Sequence, residues 1–265
     1  MPPADPSTDA PTDPSTDPVV HLDIVDRVAR ITLDSQHNRN ALSTQLVAEL
    51  GDALAVAQRS DARAIVLGHA GPAFCAGADL KERAARRGPL DSTPLVDVMR
   101  ALMDAEVPTI AAVDGAVRAG GIGLMASCDL VVVDRSVSFA LTEVRIGVAA
   151  AIISVPILRR VAPSRIAAPR LTGEPFDADP AHEIGLASHV ADYVAATVEM
   201  LCAGIAAGAP RAVAATKRIL HQVGRMDRDD AFAAMRAQSD ELFAGPDARE
   251  GMAAFREKRP PVWSS

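Results

Sequence analysis

Residues 109–133 read TIAAVDGAVRAGGIGLMASCDLVVV, and this stretch decides the fold. Residues 109–113 and 130–133 are short apolar runs rich in β-branched side chains. Residues 119–127, between them, are rich in small residues and predict a helix. Strands apolar on both faces need cover on both faces, which layers of helix provide. The same signal recurs on the N-terminal side: residues 64–68 (AIVLG) predict a strand, 70–78 a Gly/Pro/Ala loop, and 95–105 a helix. Earlier still, Leu46, Val47, Leu50, Leu54 and Val56 largely keep helical spacing over 43–58, with Ser43 placed as N-cap. Residues 19–25 and 28–33 are strand-like runs separated only by Asp26 and Arg27, a hairpin spacing. Beyond Pro156 the residues are mostly helical, with breaks at Pro163, 173–175, 208–210 and 245–246. The predicted class is α/β, an alternating core followed by a helical C-terminal part.

The 265 residues, 49% hydrophobic and 23% charged, suffice for one substantial core. Lys and Arg number 27 and Asp and Glu 34, leaving −7, so no generic basic surface is available to gather nucleic acid. Residues 1–18 (MPPADPSTDAPTDPSTDP) repeat DPSTD and carry no apolar run, which predicts a disordered acidic tail rather than a secretory signal. The expected organisation is that tail, an α/β core over 19–200, and a helical oligomerisation and ligand-covering region over 201–265. The longest apolar stretch, 146–158, falls short of the about 18 residues a membrane span needs and ends at Arg159 and Arg160. Cys75, Cys128 and Cys202 are odd in number and widely spaced, so neither a disulfide framework nor a zinc knuckle is readable, and a reducing, cytoplasmic setting is expected. His21, His37, His69, His182, His189 and His221 lack metal-ligand spacing, so no metal is expected. No G-x-S-x-G elbow is present.

Two loops place small residues where a strand ends and a helix begins: 71–82 (GPAFCAGADLKE) and 114–129 (DGAVRAGGIGLMASCD). There a ligand can approach the backbone, and free N–H groups attract developing negative charge, so together the loops can form an oxyanion hole. The alternative is that Ala and Gly simply permit tight turns and close packing. Gly121, Gly123 and Ala126 also match G-x-G-x-x-A with Glu143 about twenty residues on, as a dinucleotide site requires. The strand at 109–113 does not lead directly into that motif, which opposes the reading. Cys75 lies in the first loop without a nearby His and reads as a packing residue rather than a nucleophile.

The phrases AFCAGADLKE (73–82), VDGAVRAGGIGL with CDLVV (113–124 and 128–132), SFALTEVRIG (138–147) and EGMAAFREKRPPVW (250–263) resemble, in order, the signatures of the crotonase family, the enoyl-CoA hydratases and isomerases. The resemblance runs from Val19 to Trp263. It implies a crotonase-like spiral of ββα turns, assembly as homotrimers or hexamers, and chemistry on acyl-CoA thioesters through a stabilised enolate. CoA is then part of the substrate and no separate cofactor is needed. Residue by residue, the resemblance puts the two oxyanion N–H donors on Ala78 and Gly120 and the proton-transferring glutamate on Glu143, expected in an apolar pocket beside Val144, Ile146 and Val148. Ala76 matches the position whose carbonyl meets the adenine, and Lys81 stands near enough to serve a phosphate, with a solvated helix charge as its alternative. Phe255 and Lys258 match positions that enclose the CoA adenine and phosphates, often from a neighbouring subunit. The family's first catalytic glutamate falls on Gly123, a departure that sets single-carboxyl proton transfer against the two-carboxyl hydration of many relatives. If 119–127 is helical, a side chain at 123 is expected to face the reacting carbons, and a glutamate there is expected to raise hydration over isomerisation provided the pocket has room, overpacking being the hazard. Arg118 stands where the family is usually apolar, in the acyl pocket or at an interface. A hydratase-like enzyme, a Δ3-Δ2-enoyl-CoA isomerase and a non-catalytic acyl-CoA-binding protein are the readings the sequence leaves open.

Overall fold

The computed structural model describes residues 17–264, so nearly all of the predicted tail lies outside the described residues. β1 (Val20–Val25) and β2 (Val28–Leu33) form the expected antiparallel hairpin. Asp26 and Arg27 turn it with φ of 49° and 59°, as a two-residue hairpin loop with right-handed strand twist requires. In α1 (Thr44–Arg59) the Ser43 hydroxyl accepts from the Leu46 N–H at 3.2 Å, and Leu46, Val47, Leu50 and Leu54 face the core.

From there the chain winds as a spiral. It runs β3 (Ala64–His69), β4 (Ala73–Cys75), α2 (Leu80–Ala85) and α3 (Thr93–Asp104); then β5 (Thr109–Val113), β6 (Ala116–Arg118) and α4 (Gly120–Ala126); then β7 (Leu130–Asp134), β8 (Ser138–Ala140), α5 (Ser154–Arg160) and α6 (Pro163–Thr172). β9 (Phe176–Asp177), α7 (Ala178–Glu183) and β10 (His189–Ala191) complete the sheets. α8 (Val194–Ala206), α9 (Pro210–Gln222), α10 (Arg228–Ala244) and α11 (Pro246–Glu257) follow. Pro163, Pro210 and Pro246 each open a helix, where the missing N–H costs nothing.

Each turn gives one strand to a six-stranded sheet, β1-β2-β3-β5-β7-β10, and one to a four-stranded sheet, β4-β6-β8-β9. β4, β6 and β8 run parallel, and β9 closes the edge antiparallel to β8. The sequence reading missed the small sheet and treated 70–78 as a loop, because three-residue strands are too short to show any periodicity. Alternate residues of the large sheet enter two cores. Ile31, Leu33, Ile65, Leu67, Val113 and Val131 pack within the spiral, while Ala64, Val66, Ile110 and Val132 pack with Val194, Val198 and Cys202 of α8. The division expected at residue 200 falls inside α8.

α9 is latched to the spiral by a buried ionic cluster. Lys217, 6% exposed, pairs through Nζ with Asp129 Oδ2 at 2.8 Å and donates to the carbonyls of Leu102 (3.3 Å) and Val107 (3.1 Å). Asp129 also accepts from the Thr109 N–H at 2.7 Å, and its Oδ1 lies 2.8 Å from His221 Nε2. Removing one member strands the other's charge. Lys217→Met is therefore expected to destabilise the fold by about 3–5 kcal/mol, read from denaturant or thermal unfolding, with part of the loss recovered in Lys217→Met/Asp129→Asn. A loss below about 1 kcal/mol for the single variant would show that the cluster does not hold the helix.

Candidate active site

The small sheet determines where the predicted site residues meet. β4, β6 and β8 are adjacent and parallel, so the loops after their C-terminal ends emerge side by side: 76–79 with Ala78, 119–120 with Gly120, and 141–143 with Glu143. Contact between the first two loops is as close as backbone allows. A Cβ on Gly77, whose φ is 89°, would lie 2.8 Å from the Ala119 Cβ and 3.5 Å from the Gly120 nitrogen. A Cβ on Gly120 would meet Leu42 Cδ1 at 2.7 Å and stand 3.9 Å from the Ala78 nitrogen. Among the described residues neither the Ala78 nor the Gly120 N–H has a hydrogen-bond acceptor, while their neighbours are anchored: Leu42 N–H to Gly77 O at 2.7 Å and Ala119 N–H to Ala140 O at 2.9 Å. Ala119, immediately before Gly120, holds φ 48° and ψ −116°, a conformation costly for a residue with a Cβ and typical of functional turns. Nothing in the sequence signals that strain, since alanine is the wrong residue to flag it.

Glu143 opens a short 3-10 turn over Glu143–Ile146. Its Oε2 is buried without a hydrogen-bond partner. Burial holds the carboxyl above the usual carboxylate range, opposed by a hydrogen bond from the backbone and by the positive charge of Arg170. Val144, Ile146 and Val148, expected to wall it, are all exposed in this chain. The proviso of room at position 123 is not met, and overpacking is the outcome there. A Cβ on Gly123 would lie 2.5 Å from Ile153 Cβ and 3.0 Å from Met99 Cε, so the space where a glutamate would begin is filled by Ile153. The sequence reading missed Ile153, which lies thirty positions away, and Arg170.

Arg118 is half-buried and turned toward β8. Its guanidinium donates to Ser138 O at 2.5 Å and to Ser138 Oγ at 2.9 Å, bracing β6 against β8, and burial lowers its proton affinity. Cys75 packs beneath the donor loops. Its Sγ accepts from the Gly77 N–H at 3.4 Å, and burial pushes the thiol up to about 12, which keeps it protonated and non-nucleophilic at neutral pH. Gly121 lies inside α4 against Cys75, and Gly123 lies there against Ile153, so the G-x-G-x-x-A match serves packing and not a phosphate.

Ala76 is half-buried and tied by its N–H to Arg39 O at 3.0 Å, and Lys81 is exposed at the start of α2. That helix is capped by Asp79, which accepts from the N–H groups of Lys81 and Glu82, both at 3.0 Å. A cavity of about 200 Å³ adjoins the first loop, bordered by Leu42, Val47, Asp79, Glu82, Leu90 and Leu95. Phe255 and Lys258 are not brought to these loops. Phe255 is 88% exposed on α11, Lys258 ends that helix, and no hydrogen bond or ion pair among the described residues joins α11 to the donor loops.

Comparison with known proteins agrees with this geometry. Residues 23–265 match the family model described as enoyl-CoA hydratase/isomerase. The chain is 34% identical over 248 residues to the mitochondrial enoyl-CoA hydratase domain-containing protein 3 of Rattus norvegicus, covering 90% of this chain and 82% of that protein. It is 34% identical over 247 residues to the mevalonyl-coenzyme A hydratase of Aspergillus fumigatus, covering 88% and 90%. The crystal structure of an enoyl-CoA hydratase from Mycobacterium smegmatis superposes with a TM-score of 0.87 at 32% identity, over 94% of this chain and 100% of that one. The spiral with its adjoining strand ends is thus the crotonase fold, and the chain belongs to the enoyl-CoA hydratase/isomerase family.

Proposed function

We propose that this enzyme polarises the thioester of an enoyl-CoA between the N–H groups of Ala78 and Gly120 and moves protons on the resulting enolate through Glu143 alone. The observation that supports this most is the convergence of two unpartnered backbone donors and one buried carboxyl at three neighbouring strand ends. As a proton leaves the carbon next to the thioester, negative charge grows on the carbonyl oxygen. Donors fixed in advance at about 3 Å from it stabilise that charge without reorganising, each worth about 3 kcal/mol. Backbone donors need no side chain, which is why Ala and Gly suffice. Glu143 takes the proton as carboxylate and returns it as acid, to the same carbon or to one further along the chain.

Isomerisation of the double bond is the second reading, and the packing of Ile153 against Gly123 favours it, since no second carboxyl can share a water there. Ala76 and Lys81, at the first loop, are assigned to the adenine and phosphate ends of CoA. Phe255 and Lys258 are assigned to covering CoA across a subunit boundary in a homotrimer or hexamer, for which the exposed Phe232, Phe243 and Phe255 supply apolar surface.

Glu143→Gln is expected to lower turnover about 10²- to 10⁴-fold while leaving acyl-CoA binding within a few-fold, measured by product mass on a panel of 2-enoyl- and 3-enoyl-CoA thioesters and by calorimetry. Because burial raises the proton affinity of Glu143, the carboxylate form is lost as pH falls through a value above the usual carboxylate range, and kcat/KM declines there. A Glu143→Gln variant near the wild-type rate would remove this residue from the mechanism. Loss of α-proton exchange in heavy water, in wild-type protein that binds the thioester, would favour the binding-only reading.

Gly123→Glu is expected to lower stability by about 1–3 kcal/mol or more through overpacking against Ile153 and to leave the ratio of hydration to isomerisation unchanged. Gly123→Glu/Ile153→Gly makes the room and is the variant expected to gain 3-hydroxyacyl-CoA. A stable single variant that gains hydration would refute the assignment of that space to Ile153.

A further inference from the structure

We propose that Arg170 is a positioning residue of this site: it fixes the segment that carries Ile153 against Gly123 and keeps an unshared positive charge beside the Glu143 carboxyl. The proposal rests on the reading of Glu143 as the proton-transfer group. Arg170 projects from α6, which packs against the turn that carries Glu143. Its Nη2 donates to Ala150 O at 3.1 Å and to Ser154 Oγ, and Ser154 Oγ in turn donates to Ala150 O at 2.5 Å. Ile153 lies within the segment so held, and its side chain is buried.

The other guanidinium nitrogen, Nη1, is buried and has no hydrogen-bond partner, and the same is true of Glu143 Oε2. α6 packs against the turn that carries Glu143, and the positive charge of Arg170 favours the carboxylate form of Glu143. Arg145, the second cation near the turn, is not available for this. It is paired with Glu174 Oε1 at 2.5 Å and donates to Thr172 O at 3.0 Å. No carboxylate pairs with Arg170 among the described residues. Burial favours the neutral acid at Glu143, and the backbone hydrogen bond and then Arg170 favour the carboxylate, so loss of the guanidinium shifts the balance further toward the acid.

Arg170→Gln separates the two tasks, because the amide can still donate to Ala150 O while the charge is gone. Arg170→Met is the second charge-removing variant should the first not fold, and Arg170→Lys restores charge. Titration of the Glu143 carboxyl by ¹³C NMR, identified by difference against Glu143→Gln, and the pH profile of kcat/KM are both recorded. The charge-removing variants are expected to move the carboxyl titration and the acid limb to higher pH together, so that the rate at the acid end falls about three- to tenfold relative to its plateau, and Arg170→Lys is expected to return both toward wild type. A folded charge-removing variant whose Glu143 titrates as in wild type overturns the proposal. A shifted titration with no matching change in the acid limb supports the Arg170 contact and instead rejects Glu143 as the rate-governing base.

Discussion

The approach of Gly77 to the Ala119–Gly120 peptide governs the geometry of the site. These segments follow adjacent parallel strands, β4 and β6, and the absence of a side chain at Gly77 lets them close to a separation at which a Cβ would reach 2.8 Å from Ala119 Cβ and 3.2 Å from Arg118 O. Any L side chain there would part the loops and strain the turn, since Gly77 also holds a positive φ. At the opposite end of the same strands a second close contact is made. A Cβ on Gly115 would fall 2.7 Å from His69 Cε1 and 2.8 Å from Pro72 O, and His69 Nε2 meets Asp114 Oδ1 at 2.6 Å. The β4–β6 pair is clamped at both ends, and the two donors are held in register by backbone packing rather than by long side chains.

That arrangement separates the two electrostatic tasks. On the proposed reading, negative charge on a bound thioester oxygen is met by amide dipoles, which carry no net charge and do not titrate, so their effect is independent of pH. The proton transfer proposed for Glu143 takes place in a setting where burial raises the proton affinity of the carboxyl and the charge of Arg170 lowers it. Cys75, directly beneath the donors, is kept out of the chemistry by the burial that makes it a good packing residue. The site is thus specific in which group titrates.

How much of this was legible depended on the length scale of each feature. The hairpin, α1 with Ser43 as its cap, and the buried strands at 64–69, 109–113 and 130–134 were readable because their periodicity and punctuation extend over five or more residues. The small sheet, on which the site depends, is built of three-residue strands and left no pattern of its own. Ala78, Gly120 and Glu143 were reached through motif resemblance, and the structure brings their loops together. The burial of Glu143 Oε2 is not owed to its sequence neighbours alone, since Val144, Ile146 and Val148 are exposed in this chain. Ile153 and Arg170 act on Gly123 and Glu143 across thirty and twenty-seven positions, and single-sequence reasoning has no term for such partners.

Position 123 shows why a missing catalytic side chain cannot be judged from its own residue. Taken alone, Gly123 looks like a deletion that a glutamate would repair. In the packed structure its space belongs to Ile153, which is buried with Met99 against the glycine and stands in a segment tied down by Arg170 through Ala150 O and Ser154 Oγ. The glycine and the isoleucine are one packing unit, because a larger residue at either place requires a smaller one at the other. In the role proposed for it, Arg170 joins that unit to Glu143, since the cation that bonds the isoleucine segment also favours the Glu143 carboxylate. A second carboxylate at 123 would therefore do more than add a water ligand. It would displace Ile153, loosen the segment that orders Arg170, and place a like charge near Glu143 that raises its proton affinity further. The packing of Ile153 and Met99 against Gly123 thus leaves no space for a second carboxylate at that position unless Ile153 is also made smaller.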